Sequence, residues 1–322
     1  MHAVVVERTG GPEVLTWKTL EDEPPGEGQV LVDVAASGVN FIDTYHRSGL
    51  YTVPLPAVLG VEGAGTVAAV GPGVTDVRVG DRVAWADEPR SYATQVVVAA
   101  DRTVPVPDDV DLATAAAVLL QGLTAHYLTR DTYRIGPGDR CLVHAAAGGV
   151  GLLLVQFATL AGAEVFATVG SVDKADLARE AGADHVVVST DEDFADAVTR
   201  IAGPRPLDVV YDGIGRATFA RGLGLLRRRG VMATFGNASG PVDPVPPLDL
   251  MRGGSLYLTR PMLADHVVTT DELRGRAGEL LGLVGRRDLA VRIGHRLPLD
   301  EAGQAHRLLE SRATTGKVLL TT

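Results

Sequence analysis

From Arg140 to Gly236, short apolar strands alternate with helical runs in one unbroken series, and this alternation is the strongest constraint the sequence places on its own folding. "RCLVHA", "EVFATV", "HVVVS", "LDVVYDG" and "VMATFG" read as strands. "GVGLLLVQFATLAG", "KADLAREAG", "DFADAVTRIAG" and "ATFARGLGLLRRRG" read as the helices between them. Strands without a polar face need cover on both sides, and a strand reaches a parallel neighbour only through a crossover. The expected fold class is therefore α/β, with a Rossmann-like, doubly wound parallel sheet.

The first hundred residues have a different texture: short strands such as "HAVVVE", "QVLVDVAASGV", "GDRVAWA" and "YATQVVVAA" are punctuated by glycine and proline. That spacing predicts a small, partly open β-barrel. After residue 260 come the helix "DELRGRAGELLGLVGRR", the segment "VRIGHRLPL", a further helix and a closing strand "KVLLTT", all expected to return to the N-terminal part. A length of 322 residues agrees with two domains.

Composition narrows the function classes. A formal charge of −10 argues against nucleic acid or an anionic membrane as partner. Apolar stretches are broken by glycine, threonine or histidine, and "MHAVVVERTG" lacks the basic and apolar regions of a signal peptide, so a cytoplasmic protein is expected. The single cysteine, Cys141, lies in a predicted strand and reads as a buried, inert thiol. The run "LLRRRG" reads as a solvated helix end whose cations complement the dipole.

Residues 144–151, "HAAAGGVG", join a predicted strand to a predicted helix. In this arrangement backbone N–H groups at a helix N-terminus meet a pyrophosphate. Gly148 and Gly149 allow close approach, Gly151 allows the helix to pack against the sheet, and Ala146 stands where the usual fingerprint has its first glycine. A plain structural turn uses the same residues, but the position within a βαβ series favours a nucleotide. The following strand ends at Gly170 and Ser171, with Lys174 beyond Asp173. A small hydroxyl and an ammonium suit a 2′-phosphate, so NADPH is favoured over NADH.

With these motifs in place, the chain resembles the zinc-free quinone oxidoreductases of the medium-chain dehydrogenase/reductase superfamily, the zeta-crystallin-like group. The resemblance rests on "GVNFIDTYHRSGLY", "HAAAGGVG", "VVYDGIGR", "FGNASG", "SLYLTRP" and "ESRATTGK", in that order. It implies a GroES-like, mostly β catalytic domain at residues 1–118 and 260–322, an NADPH-binding Rossmann domain at 119–259, cofactor between the two, and a homodimer. Zinc-dependent relatives carry a cysteine where this chain has Asn40, and Gly-His-Glu where it has Gly60, Val61 and Glu62, so no metal site is assigned. Glu62 is then read as a polar or packing position. Zinc stabilises the alkoxide formed in alcohol oxidation, whereas an electron-poor quinone or conjugated enone accepts hydride without it.

The resemblance also implies site residues. Asn40, Asp43, Tyr45 and Gln121 fall at the substrate side, with Asp43 orienting its neighbours and Tyr45 able to donate a hydrogen bond to a quinone oxygen. Gln121 stands where some members have lysine. Gln121, Thr124 and Tyr127 are spaced to share one helix face. Cofactor positions are Asn40, Thr124, Tyr127, Gly148, Gly149, Val150, Ser171, Lys174, Ser189, Gly213, Phe235, Gly236, Leu258, Arg260 and Arg312. Ser189 replaces a tyrosine that some relatives place against the adenosine. No catalytic acid is assigned. Two other readings stay open: a zinc-free NADPH-dependent enone or enoyl reductase, and a non-catalytic NADPH-binding protein of the crystallin type.

Overall fold

The computed structural model describes residues 1–322, which separate into two compact units, Met1–Leu123 with His266–Thr322, and Thr124–Asp265. The first unit opens with β1 (His2–Val6), β2 (Leu15–Thr19), β3 (Gln29–Val39), α1 (Phe41–Ser48), β4 (Ala57–Val58), β5 (Glu62–Val70), β6 (Arg82–Ala86), β7 (Gln95–Ala99) and β8 (Val104–Pro105). Helix α2 (Leu112–Tyr127) then leads into the second unit, so one division falls inside a helix rather than at residue 118. There follow β9 (Arg140–Val143), α3 (Gly149–Leu160), β10 (Glu164–Val169), α4 (Ala175–Glu180), β11 (His185–Val188), α5 (Phe194–Ala202), β12 (Leu207–Asp212), α6 (Phe219–Leu225), β13 (Leu226–Thr234), α7 (Pro247–Arg252) and β14 (Tyr257–Thr259). Then α8 (Thr270–Gly285), β15 (Ile293–Pro298), α9 (Ala302–Glu310) and β16 (Lys317–Thr321) complete the first unit.

The long strand β3 organises the first unit. It is antiparallel to β5 along one edge, while its other edge is shared between β7 over Gln29–Asp33 and β16 over Ala36–Val39. Its valines 30, 32 and 34 point inward and Asp33 outward, the alternation expected of a half-buried strand. Trp85, Val32 and Val67 fill one core; Val4, Tyr92, Leu299 and Leu320 fill another. The C-terminal strand is thus a structural neighbour of the N-terminal ones, with Val318 opposite Val39.

The second unit is a six-stranded sheet in the order β11-β10-β9-β12-β13-β14, parallel throughout. This is the doubly wound order, and it reverses direction between β9 and β12, where such sheets open a crevice at the carboxyl ends. Leu142, Phe166, Val198, Leu207 and Met232 form its buried core. The sixth strand, β14, escapes the sequence reading because three residues carry no legible pattern. Helix α5 starts on Asp193, whose carboxylate accepts from the Ala195 and Asp196 amides.

One sequence expectation needs correction. "LLRRRG" does not end a helix: α6 stops at Leu225, and the arginines open β13. Between the Leu207–Leu226 and Val209–Val231 pairs the ladder bulges, Arg229 takes a left-handed φ of 61°, and Arg227 pairs with Asp208. Leu226 and Val231 keep the ladder positions, which pushes Arg228 and Arg229 out to solvent. The helical stretch Leu112–Thr132 is long and apolar, with a mean hydropathy of 1.2, and is mostly buried inside the protein as a core helix.

Gly151 faces the turn after β9: a Cβ there would lie 2.2 Å from the Ala145 carbonyl oxygen and 2.8 Å from the Ala146 Cα, both backbone atoms that cannot swing aside. Gly278, exposed on α8, would meet nothing within 4 Å. Alanine is ordinarily the better helix former by about 1 kcal/mol. Gly278→Ala is therefore expected to stabilise by up to about 1 kcal/mol, whereas Gly151→Ala loses about 2 kcal/mol or more to the clash. Urea midpoints of the two variants check the opposite signs.

Candidate functional site

After β9 the chain makes a tight turn in which the Gly148 N–H donates to the Ala145 carbonyl (2.9 Å) and Ala145 takes a left-handed φ of 51°. Helix α3 begins at Gly149, and its first intrahelical bond runs from the Leu152 N–H to the Gly148 carbonyl. The first-turn amides before it have no acceptor within the helix and carry the positive end of the dipole. Gly148, Gly149 and Val150 are only half-buried, whereas Ala146 and Ala147 behind them are buried. Such a turn could hold a phosphate on its backbone N–H groups. The left-handed residue of the turn is Ala145, one before the Ala146 that stands in the place of the usual first glycine.

Around this turn lie the other strand ends of the second unit. Ser171 and Lys174 follow β10, Lys174 closing a short 3₁₀ turn, and burial draws its ammonium below its ordinary pKa. Ser189 sits just past β11, where its hydroxyl donates to the Val169 carbonyl (3.1 Å). The strand ends after β12 and β13 come so close that a Cβ on Gly236 would lie 2.3 Å from the Gly213 carbonyl oxygen, and one on Gly213 would lie 3.0 Å from the Phe235 ring. Arg260 donates to the Gly236 carbonyl (2.9 Å), and Leu258 lies just before it on β14. Thr124 and Tyr127 are buried on α2. Cys141 is fully buried, which pushes its thiol far above the usual range and leaves it inert.

His144, at the head of the turn, escaped the sequence reading. It is buried, with Nδ1 2.9 Å from the Thr168 hydroxyl, and burial holds it down to about 4 against the opposing charge of Asp212. The imidazole is therefore neutral at pH 7. Asp212 itself, also buried, accepts from the Ile214 and Gly215 amides (2.8 and 3.0 Å) and from the Thr218 hydroxyl, which fixes the turn that carries Gly213.

In the first unit, Asn40 and Asp43 meet at the start of α1: the Asn40 N–H donates to Asp43 Oδ2 (2.8 Å), capping the helix. Asp43 does not orient Tyr45 directly. It ends a buried chain of hydrogen bonds whose direction is fixed by Arg47, a donor only. Arg47 Nη1 faces His306 Nδ1 (3.1 Å), so the proton of the neutral ring is on Nε2, directed at the Tyr92 oxygen (3.2 Å), and the Tyr92 hydroxyl donates to Asp43 Oδ2 (2.9 Å). Arg47 also binds Glu310 through both terminal nitrogens. Burial pushes the Asp43 carboxyl up to about 7, opposed by the Asn40 N–H, the Tyr92 hydroxyl and the Lys317 charge, while Glu62 adds to the rise. Burial and Arg47 hold His306 down to about 3. Tyr45 points elsewhere, packing edge-on against Tyr51 at 5.3 Å between ring centres. Arg312 lies on an exposed turn after α9 with a left-handed φ of 59°.

The largest omission of the sequence reading is Glu62 with Lys317. Both are almost completely buried, and the ammonium lies 2.5 Å from Glu62 Oε2 and 2.8 Å from Asn40 Oδ1. Asn40 Nδ2 donates to Glu62 Oε2 (2.9 Å) and to the Gly38 carbonyl (3.2 Å), and Glu62 Oε1 accepts the Leu120 N–H of α2 (2.7 Å). Glu62 is thus an ion-pair centre and not a mere packing position. The same geometry answers whether zinc fits at the positions its ligands take in related enzymes. It does not: the Asn40 amide is engaged, Val61 has no donor atom, and the Glu62 carboxylate is neutralised by Lys317. Across the whole chain no three His, Cys, Asp or Glu side chains converge as a metal site.

Comparison with known proteins places this architecture. Residues 26–108 match the alcohol dehydrogenase GroES-like domain family and residues 149–274 the zinc-binding dehydrogenase family. The chain is 45% identical to the quinone oxidoreductase of Pseudomonas aeruginosa over 313 residues, covering 97% of this chain and 96% of that protein. It belongs to the quinone oxidoreductase family of the medium-chain dehydrogenase/reductases. A 2-haloacrylate reductase from a Burkholderia species is 40% identical over 99% of the chain and 98% of its own length. The crystal structure of Escherichia coli quinone oxidoreductase complexed with NADPH superimposes with a TM-score of 0.98 at 42% identity, over the full length of both chains.

For this quinone oxidoreductase family member the buried Asp43 chain has a consequence in pH. Native Asp43 keeps a proton up to about 7 that an ordinary aspartate, at 3.8, releases, so its contribution to stability falls as pH rises between those values. His306, held at about 3 against an ordinary 6.5, acts oppositely, its contribution rising over that interval. The two oppose each other from about pH 4 to 6.5. Asp43→Asn removes the falling component while keeping an acceptor for the Asn40 N–H and Tyr92, so its Tm is expected to climb more steeply over this range than that of the wild type. Parallel Tm–pH curves would contradict the assignment.

Proposed function

We propose that the protein is an NADPH-dependent quinone reductase that works without zinc. The observation carrying this reading is the near full-length match to quinone oxidoreductases, including one structure complexed with NADPH, and the half-buried glycine turn at the start of α3 supports it. NADPH, when bound, supplies a hydride to the acceptor. Gly148, Gly149 and Val150 hold the pyrophosphate on backbone N–H groups, and Ser171 and Lys174 take the 2′-phosphate. Partial burial draws the Lys174 ammonium below its ordinary pKa, and a phosphate beside it would favour its charged form. Thr124, Tyr127, Ser189, Gly213, Phe235, Gly236, Leu258, Arg260 and Arg312 complete the cofactor contacts. Asn40, Asp43, Tyr45 and Gln121 belong to the acceptor side.

The protein's work in such a reaction is positioning, since hydride transfer needs donor and acceptor carbons about 3–3.5 Å apart. The site residues offer no Lewis acid for an alkoxide, which fits an acceptor already electron-poor. The match to a 2-haloacrylate reductase supports a second acceptor class, the activated alkene. The proposal extends to a cytoplasmic homodimer, supported by the open sheet edge at β14, where Tyr257 is 61% exposed.

NADPH and NADH oxidation is measured with a small benzoquinone, a polycyclic quinone and an enone. Turnover of quinone with NADPH is expected. Lys174→Ala should raise the KM for NADPH about ten-fold or more, the size of one charge-assisted hydrogen bond, and leave NADH kinetics nearly unchanged. Equal use of NADH by the wild type would overturn the cofactor assignment; turnover of the enone alone would move the protein to the alkene class.

A further inference from the structure

Glu62, Lys317 and Asn40 stand at the same end of three neighbouring strands. β16 lies antiparallel to β3 with Val318 opposite Val39, so Lys317 falls opposite Asn40, one residue beyond the end of β3. β5 pairs β3 with Gly63 opposite Ser37, so Glu62 falls beside Gly38. Gly38 makes room for the group: a Cβ there would lie 2.2 Å from Glu62 Oε2 and 2.7 Å from Lys317 Cε. The backbone itself is shaped around the ion pair.

The hydrogen-bond inventory of Asn40 is decisive. Its two amide hydrogens go to Glu62 Oε2 and the Gly38 carbonyl, and its oxygen accepts from the Lys317 ammonium. A primary amide has no third donor. A cation on one side and a carboxylate on the other dictate which way the amide faces. Asn40 therefore has no hydrogen left to offer a ligand, and its place in the expected site needs another explanation. The explanation lies in what the cluster grips. Asn40 caps α1, which carries Tyr45, and Glu62 Oε1 takes the Leu120 N–H on α2, one residue before Gln121.

We propose that Lys317 and Glu62 are positioning residues for the acceptor side: their buried ion pair, acting through the Asn40 amide and the Leu120 N–H, sets the helices that present Tyr45 and Gln121. The inference rests on the quinone reductase reading of that site. A buried ion pair is a poor source of stability, because desolvating both ions offsets most of their attraction, whereas removing one partner strands the other charge. Replacing both with neutral residues of similar size separates the two roles. Most of the proposed cofactor contacts belong to the second unit, so cofactor affinity serves as a reference largely separate from the ion pair.

The experiment compares wild type, Lys317→Met, the double variant Glu62→Gln/Lys317→Met, and Asn40→Ala. Each is read for Tm, for NADPH dissociation constant by nicotinamide fluorescence, and for kcat and KM with benzoquinone. Lys317→Met is expected to melt far below wild type. The double variant should regain most of the Tm and bind NADPH within about two-fold of wild type, yet keep a kcat/KM about ten-fold lower, with the loss in kcat. Asn40→Ala, which leaves the ion pair in place, should show the same loss. A double variant or an Asn40→Ala protein with wild-type kcat/KM would overturn the inference and leave the pair a purely structural device. Failure of the functional reading looks different: wild type then binds NADPH and turns over no quinone.

Discussion

The buried pair of Lys317 and Glu62 is the contact on which the first unit depends. The two residues are 255 positions apart in sequence, yet the ammonium and carboxylate sit 2.5 Å apart with almost no access to water. Two desolvated charges are tolerable only with further hydrogen-bond partners, and here the Asn40 amide serves both ions while the Leu120 N–H serves Glu62. The chain must therefore bring its last strand to β3 before the cluster is satisfied. The interaction defines a register: a slip of β16 by one residue would turn Lys317 to the opposite face and leave Glu62 unpaired.

A second buried network reinforces the same economy. Arg47, His306, Tyr92 and Asp43 form a one-directional series of hydrogen bonds, in which a permanent donor at one end fixes the proton of every group down to the carboxyl. Arg47 also donates to the Gly10 carbonyl, so α1 is held at its start by Asp43 and near its end by Arg47. Both networks borrow residues from the C-terminal segment, His306 and Glu310 on α9 and Lys317 on β16. The second unit relies on different physics. Its strands are apolar on both faces, and its ligand edge is shaped by glycines whose missing side chains leave space, at Gly151, Gly213 and Gly236.

This contrast explains what was legible in the sequence. Apolar strands and a glycine turn leave local patterns, so the parallel sheet, the turn before α3 and the strand ends at Ser171 and Gly213 could be read directly. Resemblance added Asn40 and Asp43 without saying what either side chain touches. Lys317 was hidden, although "ESRATTGK" contains it, because a lone lysine ahead of "VLLTT" looks like the solvated start of a strand. The signal that could have exposed it was Glu62: a carboxylate in the glycine-rich, apolar run "GVEGAG" needs a cation, and the chain has few lysines from which to draw one. The triple arginine misled for the opposite reason, because its neighbours Leu225 and Leu226 fit a helix end as well as a bulged strand.

The position of Glu62 also bears on how one scaffold supports different chemistry. Where zinc-dependent relatives set ligands, this chain keeps the carboxylate but supplies its counter-charge from a lysine on a distant strand, and it fills the neighbouring position with Val61. A divalent ion at such a place both holds the surrounding strands and polarises a substrate. An ammonium can do only the first: it gives one charge, donates three hydrogen bonds and is wholly turned inward here. The scaffold thereby keeps a positively charged organiser at the meeting point of β3, β5 and β16 while giving up the means to stabilise an alkoxide. Under the proposed function, what remains suits an acceptor whose own electron deficiency drives the transfer, and leaves the protein the task of alignment.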